Sequence, residues 1–481
     1  MLSVAWTKNV YRLNAATRSL ATVAAQRRQT AFKGQNVVLV EGVRTPFLTS
    51  GSDYKNLMPH DLQRSALQGL IQRTKIDPKK IGYICIGTVI QEVKTSNIAR
   101  EAALCAGIPQ SVPAHTVTMA CISSNQAITT CMGLIANGFA DIAVAGGVEF
   151  MSDVPIRLSR RMRKTLLDLN KAKSAIQKLS LASNFLKPSS WAPELPAVAE
   201  FTSGETMGHS GDRLAAAFNI SRQEQDEFAI RSHSLAQKAF EDGNMTDILP
   251  IYVPGKKDAI VKDNGVRVST VDQVAKLKPA FIKPHGTVTA ANASFLTDGA
   301  SACLIMTEEK AKELGYKPKA YLREFVYVAQ DPKDQLLLGP TYATPKVLQR
   351  AGLQLSDIDV FEYHEAFAGQ LLANIKAMDS DWFCQNYVGL NKKVEASSIH
   401  SEDCVNSVDY FIIFSKVGLM PVDKLNMWGG SLSIGHPFGA TGVRLATHAA
   451  HRLVKENGQF AIVAACAAGG HGHAMLIERY P

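Results

Sequence analysis

The chain carries no acidic residue before Glu41. Its first 35 residues hold Lys8, Arg12, Arg18, Arg27, Arg28 and Lys33, spaced by Ser, Thr and Ala. A basic, acid-free, amphipathic stretch of this kind predicts a mitochondrial transit peptide over residues 1–35. No apolar run approaches 18 residues, which excludes an expected transmembrane helix. Eight cysteines are scattered through 481 residues without one C-x-x-C pair. That spacing excludes zinc-finger-type clusters and a disulfide framework, predicts no metal site, and fits a reducing compartment. The formal charge of +9 falls to +3 once the six leader cations are set aside. Nucleic-acid binding therefore has little support.

What is present is alternation. Residues 36–47 read as a strand ending in a turn, 60–74 as a helix and 83–92 as a buried strand. Residues 125–138 read as a helix stopped by Gly138, and 141–149 as a strand ending near the pair Gly146-Gly147. This order predicts an α/β layered fold. Residues 152–285 differ: basic and Leu-rich at first, loop-like near 189–198, helical from about 222. They read as a large insertion. Residues 287–306 return with strand and tight-helix character. From about 316 a second unit runs strand (318–329), helix (344–352), strand and turn (357–367). It ends with a helix, an apolar strand and the pair Gly469-Gly470, in the order of the first unit. A duplicated α/β half follows. The expected division is 36–151 plus 286–310, a loop domain over 152–285, and 311–481.

Four segments place a reactive side chain among small residues: Cys121 in MACISS, His364 in YHEAF, His436 in GHPFGATG and Cys466 in AACAAGG. Cys121 stands at a strand-to-helix junction, where free N–H groups and the helix dipole favour a thiolate. Taken alone it also reads as a small buried apolar residue. Gly435, Gly439 and Gly442 mark a helix start that something approaches closely, with Pro437 in its first turn. Cys466 sits at the C-terminal end of an apolar strand, where ligands meet α/β sheets.

These segments, with VRTPF, GGVEFMS and NASFLTDGAS, resemble the thiolase family in order over residues 36–481. The resemblance implies duplicated halves layered α-β-α-β-α and cleavage of 3-ketoacyl-CoA by CoA through an acyl-cysteine. It implies Cys121 as nucleophile, His436 as the group that takes its proton and Cys466 as general acid and base. His364, His436 and the backbone N–H groups of Cys121 and Ala468 are implied as oxyanion donors. No permanent cofactor is implied; CoA is a co-substrate. His364 stands where most members carry Asn, and MSDVPIRLSRRMRKTLLDLNKAK (Met151–Lys173) resembles the basic insertion of a mitochondrial long-chain branch. That branch implies a homodimer core, an α subunit with hydratase and dehydrogenase activities, and attachment to the matrix face of the inner membrane. Leu158, Met162, Leu166 and Leu169 predict one apolar helical face there. A biosynthetic thiolase, a ketoacyl synthase and a catalytically impaired scaffold are the alternatives; the second cysteine argues against a synthase. Residues 394–416 interrupt the family pattern. They read as a retained in-frame intron or, alternatively, as a genuine loop insertion.

Overall fold

A computed structural model describes residues 35–197, 199–390 and 416–481. The expected leader falls on residues outside these, apart from Gln35, and so does the 394–416 interruption, apart from Lys416. Ten strands form in the described residues: β1 (Val37–Arg44), β2 (Leu48–Thr49), β3 (Tyr83–Gly87), β4 (Ala114–Val117), β5 (Ile142–Glu149), β6 (Thr297–Thr307), β7 (Ala320–Ala329), β8 (Val360–Tyr363), β9 (Phe460–Ala467) and β10 (His471–Arg479). The helices that shape the site and its surroundings are α1 (Pro59–Thr74), α2 (Ile98–Cys105), α3 (Ser123–Ala136), α4 (Arg160–Lys171), α5 (Ala175–Ala182), α6 (Met207–Ala217), α7 (Arg222–Glu241), α8 (Gly339–Ala351), α9 (Ala368–Met378), α10 (Ser431–Ile434) and α11 (Thr441–Lys455).

The strand order is β4-β3-β5-β6-β1-β7-β10-β9-β8. Its two parts repeat one pattern. In the first, β1 is antiparallel to β6, β6 antiparallel to β5, and β5 parallel to β3. In the second, β7 is antiparallel to β10, β10 antiparallel to β9, and β9 parallel to β8. The parts join where β1 meets β7. The duplication read from the two Gly-Gly strands is therefore a duplication of topology.

Strand side chains alternate between faces, and the alternation sorts the core into layers. In β5, Ile142 and Val144 point to a cluster with Leu62 and Leu67 of α1 and Ala99 of α2. Ala143 and Ala145 point the other way, to Ile128 and Met132 of α3 and Val443 and Ala446 of α11. In β9, Ala461 and Val463 face that same central helix pair, while Ile462 and Ala464 face Val347 of α8 and Leu371 of α9. Helices thus lie outside, between and outside the two half-sheets. α3 and α11, one from each half, pack on each other in the middle.

Three local expectations are corrected. Residues 287–306 form no helix; Thr297–Thr307 is a fully buried strand whose Gly and Ala residues let β1 and β5 pair on either side. The helix after His436 begins at Thr441, so Pro437 lies in the preceding turn rather than in the first helical turn. Arg157–Leu186 is two helices, each N-capped by a serine, Ser159 and Ser174. The inward positions of α4 are Met162 and Thr165, with Leu169 half-buried; Leu158 and Leu166 are exposed. Thr165 takes the inward place expected of Leu166, and its Oγ1 accepts a hydrogen bond there from Asn184 at 3.2 Å.

Candidate active site

Each reactive side chain stands on a turn that leaves one of these strands. Cys121 follows β4 and precedes α3. The turn places Ala120 at φ 45°, a strained value for a residue with a Cβ. Ser123 holds it there: its Oγ accepts from Met119 N–H at 2.8 Å and donates to the Ala120 carbonyl at 2.7 Å. His364 follows β8, and its N–H donates to the Ala464 carbonyl of β9 at 2.9 Å. His436 follows α10 and Gly435, which adopts φ 109°. Its N–H donates to Thr297 Oγ1 at 3.0 Å. Cys466 occupies the last turn-facing part of β9, one residue before Ala467, and is buried. Gly469 and Gly470, both at positive φ, then reverse the chain into β10.

The four turns converge. The Cys121 sulfur and one ring nitrogen of each of His364 and His436 lie within 4.8 Å of one another. The two imidazoles are 4.0 Å apart between ring centres. The backbone N–H groups of Ala468 and of Cys121 itself lie near enough to the Cys121 sulfur to favour its thiolate, and Cys466 is close enough to feel its charge. His364 and His436 are buried, and the Nε2 of each has no partner in the chain. Unpaired buried nitrogens aimed at a thiol are costly unless a ligand uses them.

The expected stabilised thiolate is corrected. Burial pushes the Cys121 thiol up to about 12, and Glu149 adds to the rise; the N–H groups of Ala468 and Cys121 pull the other way and lose. The short reach of the helix dipole does not offset desolvation. Burial also drives His364 down to about 3 and His436 well below its ordinary value; the Arg444 charge adds to both. Cys121 therefore rests as a thiol beside two neutral imidazoles. His436 Nδ1 is 2.7 Å from Thr441 Oγ1, whose own proton has the Pro437 carbonyl at 3.0 Å as an outlet. That arrangement allows a proton on Nδ1 and leaves the Nε2 lone pair free to act as a base.

Several residues that shape the site escaped the sequence reading. Glu149 accepts from Val89 N–H, Ile90 N–H and Gly439 N–H at 3.2, 2.9 and 3.0 Å. Burial pushes its carboxyl up to about 7 against those three donors. Glu365 accepts from Ser232 Oγ and Asn426 Nδ2 at 2.7 Å and from Leu432 N–H at 3.2 Å, so it pins the α10 turn. Ser431 and Arg444 touch His364 directly and at one remove. For Glu149 and Ser431 the sequence signal is polarity in stretches otherwise small or apolar, GGVEF and GGSLSIG.

Comparison with known proteins agrees with this geometry. The family "Thiolase, N-terminal domain" matches residues 37–309, and "Thiolase, C-terminal domain" matches 316–479. The chain is 65% identical over 447 residues to the Bos taurus protein named trifunctional enzyme subunit beta, mitochondrial, covering 93% of this chain and 89% of that one. It is 59% identical over 469 residues to a probable 3-ketoacyl-CoA thiolase of Caenorhabditis elegans, covering 97% and 99%. Among solved structures, human mitochondrial 3-ketoacyl-CoA thiolase in complex with CoA superposes with a TM-score of 0.74 at 28% identity, covering 92% and 98%. A duplicated sheet, two cysteines and two histidines meeting at its turns, and matches along nearly the whole chain place this protein in the thiolase family.

Proposed function

We propose that the chain cleaves 3-ketoacyl-CoA with CoA, giving acetyl-CoA and a shortened acyl-CoA, as an acyltransferase of fatty acid β-oxidation. The observation that carries the reading is the meeting of Cys121 with two neutral imidazoles and the Ala468 N–H. His436 Nε2 takes the thiol proton as Cys121 Sγ attacks the keto carbon. Two oxyanions form, one at the keto carbon under attack and one on the thioester oxygen of the departing acetyl-CoA carbanion; His364, His436 and the N–H groups of Cys121 and Ala468 hold them between them. One such donor typically contributes about 3–4 kcal/mol. The C2–C3 bond breaks, its electron pair passes to acetyl-CoA, and the Cys466 thiol protonates that carbanion. The Cys466 thiolate then deprotonates incoming CoA, whose sulfur attacks the Cys121 thioester. Cys121 leaves as thiolate and recovers its proton from His436. No resident cofactor is needed.

We divide the chain into halves 36–151 plus 286–310 and 311–481, around a loop domain at 152–285. Working as a β subunit beside another subunit, which we propose to be a hydratase/dehydrogenase α subunit, is supported by relatives named trifunctional enzyme subunit beta, mitochondrial, and those names support a mitochondrial setting too. A homodimer core is supported by β4, a half-buried strand at the end of the sheet beside Cys121, where an unpaired strand edge favours a partner. Attachment to the matrix face of the inner membrane is supported by the exposed cations and apolar side chains of α4 and α5.

Acetyl-CoA release from short and long 3-ketoacyl-CoA by the purified chain tests the activity; no release from either defeats it. Cys121→Ser should show no acyl mass increment after acyl-CoA is added. Cys466→Ala should still acylate, with turnover lower by about 10²–10⁴-fold. Acylation that persists in Cys121→Ser would move the nucleophile elsewhere.

A further inference from the structure

His364 is held from behind by two buried side chains. Its Nδ1 lies 3.1 Å from Ser431 Oγ. Arg444, on the first turn of α11, donates from Nη2 to the same oxygen at 3.0 Å. Ser431 and Arg444 are both buried. A guanidinium has five donors and no lone pair to accept with. The hydroxyl proton of Ser431 therefore cannot go to Arg444. Among the described residues the other atom on that oxygen is His364 Nδ1. A hydroxyl that accepts from Arg444 and donates to Nδ1 makes Nδ1 the acceptor nitrogen of the ring. The ring proton must then sit on Nε2, the nitrogen that is buried without a partner.

Arg444 does more than orient the serine. Its Nε and Nη1 have no hydrogen-bond partner, and its nearest carboxylate, Glu362, is 3.6 Å away. Its charge is thus incompletely matched inside the protein. A cation in that position opposes a second positive charge on the ring two atoms further on. His364 is kept neutral as well as oriented. His436, with Thr441 behind it, is served differently: its hydroxyl partner has a carbonyl to donate to.

We propose that Ser431 and Arg444 form a positioning relay that fixes His364 as the Nε2–H tautomer, so that of two adjacent imidazoles one is the hydrogen-bond donor to the oxyanion and the other, His436, is the base. The proposal rests on the thiolysis reading for its consequence and on the hydrogen bonds alone for the tautomer. Ser431 and Arg444 do not touch the reacting atoms; they act through His364.

The test combines kinetics with a readout that needs no turnover. Ser431→Ala should lower kcat for thiolysis by about 10- to 100-fold, less than or equal to the 10²–10³-fold of losing an oxyanion donor outright. KM for CoA should stay within about twofold, and Ser431→Thr should restore most of the rate. In a His364→Asn background, where no tautomer exists to be set, Ser431→Ala should cost nothing further. Equal losses in both backgrounds would make Ser431 a packing residue and overturn the relay, as would wild-type kcat in Ser431→Ala. Ring ¹⁵N NMR, with His364 assigned by difference against His364→Asn, should show an acceptor-type Nδ1 and a protonated Nε2 in the wild type. The two forms should mix in Ser431→Ala. A protonated Nδ1 in the wild type would overturn the proposal. A protonated Nε2 in a chain without thiolysis would uphold the relay and sink the functional reading alone.

Discussion

At the scale of single residues, desolvation governs the chemistry. Cys121 is placed where a helix dipole favours an anion, yet burial wins and the group rests as a thiol. His436 is lowered, so its basic form is lost only as pH falls well below the ordinary histidine range. Cys121 is raised, so its thiol form persists until pH approaches about 12. Both shifts move these groups away from the neutral range in the resting enzyme. Acylation of Cys121 by an acyl-CoA in a single turnover should therefore vary by no more than about threefold over pH 6.0–8.5, any variation following Glu149, whose carboxyl is pushed up to about 7 and whose charge opposes the thiolate. Quenched-flow sampling followed by intact mass would measure it. A tenfold rise centred near the ordinary values of histidine or cysteine would show that one of them titrates there, and the neutral pair would be wrong. The steady-state rate is no substitute, because it includes deprotonation of free CoA.

At the scale of elements, the site depends on how closely β5 and the GHPFG turn approach. A Cβ on Gly147 would overlap the Gly439 carbonyl oxygen and lie 2.9 Å from Ser124 Cβ. Gly439 in turn has the Val148 and Gly87 carbonyls against it. Gly147→Ala must push the His436 turn away from Cys121. Overpacking of this kind costs about 1–3 kcal/mol, and a shift near 1 Å at a reacting group costs about 10²-fold in rate. Gly133→Ala is the control: it lies in α3 with nothing within 4 Å of the new Cβ. It should keep full activity and gain about 0.5–1 kcal/mol. Thermal unfolding and turnover of the pair would check this, and a fully active Gly147→Ala would refute the close approach. The same two positions show what a sequence makes readable. Gly138 ending α3, the apolar run into Gly146-Gly147 that marks β5 and the small residues around Cys121, His364, His436 and Cys466 are local signals. Each is set by residues a few positions away. The helix-like reading of 287–306 failed because the small residues of β6 serve neighbours on both sides, β1 and β5, that lie far off in sequence. Ser431 and Arg444 were missed for a similar reason: a serine hydroxyl gains its role from an imidazole 67 residues away.

At the scale of the whole molecule, two half-sheets enclose α3 and α11 and leave the turns of both halves at one site, while α4 and α5 lie outside this frame. Their exposure is unusual for their composition. Ile176 is 82% and Leu186 85% exposed, and Phe201 nearby in the chain is fully exposed. Arg157 and Arg163 are paired with Glu194. Arg160, Lys164, Leu167 and Lys171 are separated by four, three and four residues and are all exposed, so one outward stripe of α4 is cationic with a leucine in it. Leaving such a stripe in water gains nothing; laying it on an anionic bilayer buries Leu167 and draws about 1 kcal/mol from each cation near the surface. The chain should co-sediment with vesicles containing cardiolipin at low salt and release at high salt. Replacing Arg160, Lys164, Lys171 and Lys178 with Gln should weaken that binding by about 100-fold or more, since four cations at about 1 kcal/mol each are lost. Thiolysis in solution should be unchanged, because none of the four belongs to the site. Equal binding to neutral vesicles, or binding unaffected by the four changes, would assign this surface to a protein neighbour instead.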